Sequence, residues 1–122
     1  MRIWVNGAEA TAPAATTQLV KVVPGAGKLG KVYGFRVASQ EVTAAGKVWR
    51  LRANVQGMAM TVASVDVTCP SIQPAAAPLF VMKGNGVDFY EVVNAVAGAA
   101  GTLHQASLLY EEEDCPPDRV RD

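Results

Sequence analysis

Lys47-Val48-Trp49-Arg50-Leu51-Arg52-Ala53-Asn54-Val55 (residues 47–55) sets Trp49, Leu51, Ala53 and Val55 on one side of an extended chain and Val48, Arg50, Arg52 and Asn54 on the other. Successive side chains of extended backbone point to opposite sides, so a period of two marks a strand with one buried face. The pattern recurs in both directions. Upstream, Lys31 to Gln40 sets Tyr33, Phe35 and Val37 against Arg36, and residues 18–23 form a short strand stopped by Pro24-Gly25. Thr43-Ala44-Ala45-Gly46 is short enough to join 31–40 to 47–55 as an antiparallel hairpin.

Downstream, Met58 to Thr68 continues as a Val- and Ala-rich strand stopped by Cys69-Pro70. Residues 71–78 carry Pro74 and Pro78 and form an extended connection to a short buried strand, Leu79 to Lys83. Gly84-Asn85-Gly86 is a turn, since these residues tolerate positive φ. Thr102 to Glu111 is the last strand, followed by a solvated acidic run, Glu111 to Asp114. Residues 88–97 read two ways. Asp88 and Glu91 resemble a capping box with Phe89, Val92, Val93 and Val96 at helical spacing, whereas the side-chain shapes of Phe89, Tyr90, Val92, Val93 and Val96 favour a strand.

Composition agrees with strands. The chain has 20 Ala and 18 Val but only seven Leu and two Ile, and β-branched side chains suit a pleated, half-buried surface. The expected architecture is all-β: an antiparallel β-sandwich or jelly roll of about 7–8 strands with an extended N-terminal arm. Its parts are the arm (residues 1–15), the sandwich (16–112) and a C-terminal tail (113–122).

Charge and residue counts exclude more than they suggest. Eleven basic and eleven acidic residues cancel, so no long-range field draws the chain to nucleic acid or to an anionic membrane. No window approaches the roughly 20 apolar residues of a membrane-spanning helix, so no membrane insertion is expected. The longest apolar run near the N-terminus is Ile3 to Val5, against roughly 7–15 residues in a secretory signal. The expectation is a chain made in the cytoplasm without a signal peptide. One His and two Cys leave little for a metal site, and no cofactor is expected. Cys69 and Cys115 either pair, closing a long loop worth about 2–4 kcal/mol, or stay reduced.

The segment Gly25-Ala26-Gly27-Lys28-Leu29-Gly30-Lys31-Val32 matches parts of two phosphate-binding patterns. Both need a helix after the loop, and Val32 stands where a magnesium-holding hydroxyl would be required. The strand-like 32–37 that follows makes this a turn with two lysines. His104 has no Asp or Glu close in sequence, and none of Ser39, Ser64, Ser71 and Ser107 lies in a G-x-S-x-G elbow. The chain is therefore expected not to be an enzyme.

The candidate interface residues are Ile3, Trp4 and Val5, as anchors of the arm in a neighbour's groove, and Arg50 and Arg52, which share a strand face with Asn54. Arg36 extends that basic stripe. Its complement would be the acidic run of another copy, Glu111 and Glu112 foremost. Exposed aromatics could instead bind carbohydrate, with Trp4, Trp49 and Tyr90 as candidates.

The order of Val23 to Gly30, Ala44 to Ala53, Gly84 to Val87 and Gly98 to Glu111 over residues 16–112 resembles small viral β-sandwich proteins: single jelly-roll capsid proteins and trimeric capsid-decoration (cement) proteins. The resemblance is one of layout and carries no functional residue over. It implies that the fold itself is the function: a structural protein of a virion or similar particle, placed on its surface, whose copies assemble as a homotrimer or larger, in contact with a major capsid protein. The competing expectation is a β-sandwich module that binds carbohydrate or another surface ligand.

Overall fold

The computed structural model describes residues 2–40, 47–66, 71–72 and 76–115. Among them are ten strands: β1 (Ile3–Asn6), β2 (Ala10–Thr11), β3 (Gln18–Val22), β4 (Lys28–Ser39), β5 (Val48–Val55), β6 (Met58–Asp66), β7 (Ser71–Ile72), β8 (Phe80–Lys83), β9 (Phe89–Asn94) and β10 (Leu103–Asp114). Eight of these have four or more residues. They form two antiparallel sheets. The first has the order β1-β10-β4-β7, with β2 also on β10 and β8 also on β4. The second runs β3-β9-β5-β6. Each sheet gives one face to a shared core of Val32, Phe35 and Leu108 from the first and Trp49, Leu51, Tyr90 and Val92 from the second. The protein is an all-β sandwich whose connections pass repeatedly between sheets.

Within residues 88–97 the chain from Phe89 to Asn94 is a strand, because β9 lies between β3 and β5 in the second sheet. Tyr90, Val92 and Asn94 face inward there. Tyr90 ties the layers together: its hydroxyl donates to the Gly30 carbonyl of the opposite sheet at 2.6 Å. Burial pushes that hydroxyl's pKa far up, so it remains a donor.

The expected hairpin between 31–40 and 47–55 does not form. β4 lies between β10 and the short β7 and β8, while β5 lies between β9 and β6 in the other sheet. The turn that claims the edge of β5 is Gln56-Gly57, with φ of 53° and 80°. Two residues of positive φ match the twist of a tight hairpin. The connecting residues 41–46 lie outside the described residues.

Tyr33 also departs from the sequence reading. Leu109 pairs with Gly34 and Tyr110 with Val32, leaving Tyr33 as an extra residue in β4. A bulge shifts the alternation by one. Val32 therefore enters the core beside Phe35 and Val37, and Tyr33 turns outward beneath the Arg2 guanidinium, 3.6 Å from its ring centroid. Similar shifts leave Leu19 extra in β3 and Val62 extra in β6.

Residues 1–15, read from sequence as an arm, contribute strands to the first sheet. Ile3 pairs with Tyr110, Trp4 with Leu109, Val5 with Leu108 and Asn6 with Ser107. Further along, Asn94 fastens the chain: its Nδ2 donates to the carbonyls of Pro13 at 3.2 Å and Ala14 at 2.9 Å, and its Oδ1 accepts from Thr17 N at 2.9 Å. The acidic run is likewise the end of β10. Glu113 and Asp114 form ion pairs with Lys31 and Lys28 of the adjacent β4. Cys115 is half-buried. Cys69 lies outside the described residues, and so does its pairing with Cys115.

Candidate functional site

The charged residues singled out from sequence sit on different surfaces. Arg50 is exposed on the outer face of the second sheet. Arg52, two residues on, is engaged: its Nε and Nη2 donate to one oxygen of Glu91 at 3.0 and 2.7 Å. Asn54 Nδ2 donates to the same oxygen at 2.8 Å, and Gln18 Nε2 to the other at 2.8 Å. Burial alone would raise the Glu91 pKa, but these donors outweigh it and hold the carboxyl below its ordinary range. Arg36 belongs to the first sheet, so the expected stripe with Arg50 and Arg52 is not formed.

Glu111 accepts from the Tyr33 hydroxyl at 2.9 Å. Glu112 accepts from the Tyr110 hydroxyl at 2.8 Å and from Gly25 N at 3.1 Å. Both acids thus have partners within their own chain, as Arg52 does. Lys28 leaves the Gly25–Gly30 turn directly into β4, with no helix to present amides to a phosphate.

Of the expected arm anchors, Val5 packs against the core and Ile3 is half exposed. Trp4 lies under the Arg36 guanidinium, 4.0 Å from its ring centroid. Beside this stack is a cleft of about 310 Å³ lined by Asn6, Arg36, Gln105 and Ser107 among others. The other aromatics proposed for sugar stacking, Trp49 and Tyr90, are core residues.

His104 is buried between the sheets, its ring 5.9 Å from that of Trp49. Ser39 Oγ stands 3.4 Å from Nδ1 and 3.5 Å from Nε2. Both distances are at the long end of the hydrogen-bond range. Thr102 Oγ1 is 3.3 Å from Nε2. Among the described residues no group of three or more His, Cys, Asp or Glu could hold a metal ion, and no helix is long and apolar enough to cross a membrane.

The two lateral sides of the sandwich are finished differently. On one, β1 closes on β3 so tightly that a Cβ on Gly7 would fall 1.9 Å from the Leu19 carbonyl oxygen. On the other, the edges of β6 and β8 stand apart over a groove of about 450 Å³ lined by Val55, Met60, Phe80, Val81 and Met82 and, on its polar part, by Gln56, Lys83, Asn85 and Asp88. Around this side Met58, Val81 and Val87 are 64%, 44% and 73% exposed. Sequence reading missed this surface. Its available signal was the two-residue gap Gln56-Gly57, which makes β5 and β6 a hairpin and β6 an edge.

No family model matches this chain. No curated protein matches it either. Among solved structures it is similar to the nucleoplasmin-like N-terminal domain of Drosophila FKBP39, with a TM-score of 0.45 and 12% identity over 96% of each chain.

Proposed function

We propose that this chain is a non-enzymatic structural protein that assembles with copies of itself, as a component of a virion or similar particle. The observation that carries the reading is the open lateral side, where exposed Val81 lines a groove together with Val55, Met60, Phe80 and Met82. A folded monomer rarely leaves such side chains grouped on one surface, and grouped exposure marks contact with another macromolecule. The outer faces are finished differently, with charges matched inside the chain at Arg52–Glu91, Lys31–Glu113 and Lys28–Asp114. Native mass spectrometry and light scattering of the purified chain over a micromolar concentration range test it. A defined oligomer is the expected result, and a monomer at every concentration overturns it.

The Arg36–Trp4 stack and its polar cleft favour a second reading, a module for a surface ligand carrying a carboxylate or hydroxyls. A monomer that binds acidic oligosaccharides, and loses that binding in Arg36→Ala, would establish it in place of the first.

A further inference from the structure

We infer that β6 is the strand through which two copies join, antiparallel across a two-fold axis, so that their four-stranded sheets become one of eight strands. This rests on the assembly reading above and specifies its contact.

Edge strands offer unpaired N–H and C=O groups to any extended chain, and proteins blunt them with shortness, charge or cover. The other edges here are blunted by shortness or charge, whereas β6 carries a single bulge, at Val62. β1 and β8 have four residues each and β7 two, while β3 has five with Lys21 among them. β6 has nine, Met58-Ala59-Met60-Thr61-Val62-Ala63-Ser64-Val65-Asp66, with no charge before Asp66 and no proline. Among the described residues it pairs only with β5.

Two independent patterns fix the same register. The first is which side chains face inward. Met58, Met60, Ala63 and Val65 lie opposite Val55, Ala53, Leu51 and Trp49, whereas Ala59, Thr61 and Ser64 lie opposite Asn54, Arg52 and Arg50. The extra residue Val62 accounts for the change of parity. The second is which backbone groups point away from β5. In a two-residue hairpin the closing pair, here Val55 and Met58, exchanges both hydrogen bonds, and bonded pairs then alternate with unbonded ones. Ala59, Thr61 and Ser64 consequently direct N–H and C=O outward.

An antiparallel partner must set inward against inward and outward against outward. Placing Ala59 opposite Ser64 of the second copy does both. It sets Met58 against a second Val65 and Met60 against a second Ala63 on the core side, continuing the apolar groove across the axis. On the outer side only small, uncharged side chains meet. The two Asp66 carboxylates fall at opposite ends of the seam, roughly 25 Å apart for eight or so residues of strand. A parallel pair would place them side by side. The complementarity of β6 with itself is what commits the site to a second copy of this chain.

The test uses the full chain in two variants. Ala59→Pro removes one outward N–H and leaves the β5 ladder intact. It should raise the dimer dissociation constant roughly 10- to 100-fold, the loss of one hydrogen bond from each copy and a clash at the seam, with the far-UV spectrum unchanged. In a chain with Cys69 and Cys115 replaced by serine, Ala59→Cys with Ser64→Cys should form a doubly linked dimer under mild oxidation. Cα atoms of such a hydrogen-bonded pair stand about 5.5 Å apart, within disulfide reach. A wild-type chain that is monomeric throughout defeats the assembly reading and this inference together. An oligomer that survives Ala59→Pro and yields no cross-link defeats the β6 contact alone.

Discussion

Arg52 donates two hydrogen bonds to a single oxygen of Glu91, at 3.0 and 2.7 Å, on the outer face of the second sheet. With Gln18 and Asn54 also donating, Glu91 is nearly buried yet fully served as a carboxylate. A carboxyl whose folded pKa is depressed contributes stability that is present above its ordinary value, near 4.5, and lost as pH falls through the lower folded value. Stability should thus be level from pH 7 to about 5 and decline below 4.5. Glu91→Gln should cost about 1.5–3 kcal/mol at pH 7 and flatten the acid decline, as read by urea unfolding across this range.

Tyr90→Phe removes the side-chain hydroxyl that donates across the layers to the Gly30 carbonyl, leaving that carbonyl with its sheet partners alone. The expected loss is about 1–3 kcal/mol, a drop of several degrees in thermal midpoint, with the ring packing on Phe80 and Tyr110 retained. An unchanged midpoint would mean that the carbonyl finds water in its place.

Two glycine substitutions should separate close approach from backbone conformation. Gly7→Ala forces a methyl group to within 1.9 Å of the Leu19 carbonyl oxygen, so the β1–β3 side must part and the variant should fail to fold cooperatively. Gly57→Ala meets nothing within 4 Å and suffers only from its φ of 80°, costing roughly 1–2 kcal/mol. Calorimetry of the two checks the order.

Deleting residues 1–15 should destabilise the isolated domain. Val5 leaves the core, Leu108 and Leu109 lose their paired strand, and Asn94, 1% exposed, loses the Pro13 and Ala14 carbonyls. A free arm would predict the reverse, a truncated monomer with an unchanged unfolding midpoint.

Much of the fold was legible because its strands bury one face each. Trp49, Leu51 and Ala53 announced β5, whereas the residue shapes from Phe89 to Val93 favoured β9 against a helical spacing that only the sheet decided. Alternation says which face of a strand is buried but not which sheet receives it, so β4 and β5 read as partners. It also assumes unbroken parity, which the extra Tyr33 violates. The acidic run read as a solvated tail because its lysine partners, Lys28 and Lys31, are more than 80 residues away and become neighbours only through the β4–β10 register. The open side escaped for a similar reason: an edge is a property of strand order, which no single segment encodes.

The extra residues at Leu19, Tyr33 and Val62 have an evolutionary consequence. In a regular strand, losing one residue inverts every side chain beyond the break, so length is held almost as strictly as identity. Where one strand already carries a surplus residue, a deletion is absorbed by straightening and the neighbours keep their sides. Related chains should therefore vary in length at these three points as well as in their loops, and a library of single-residue deletions should retain folded members there while losing them throughout β5 and β9.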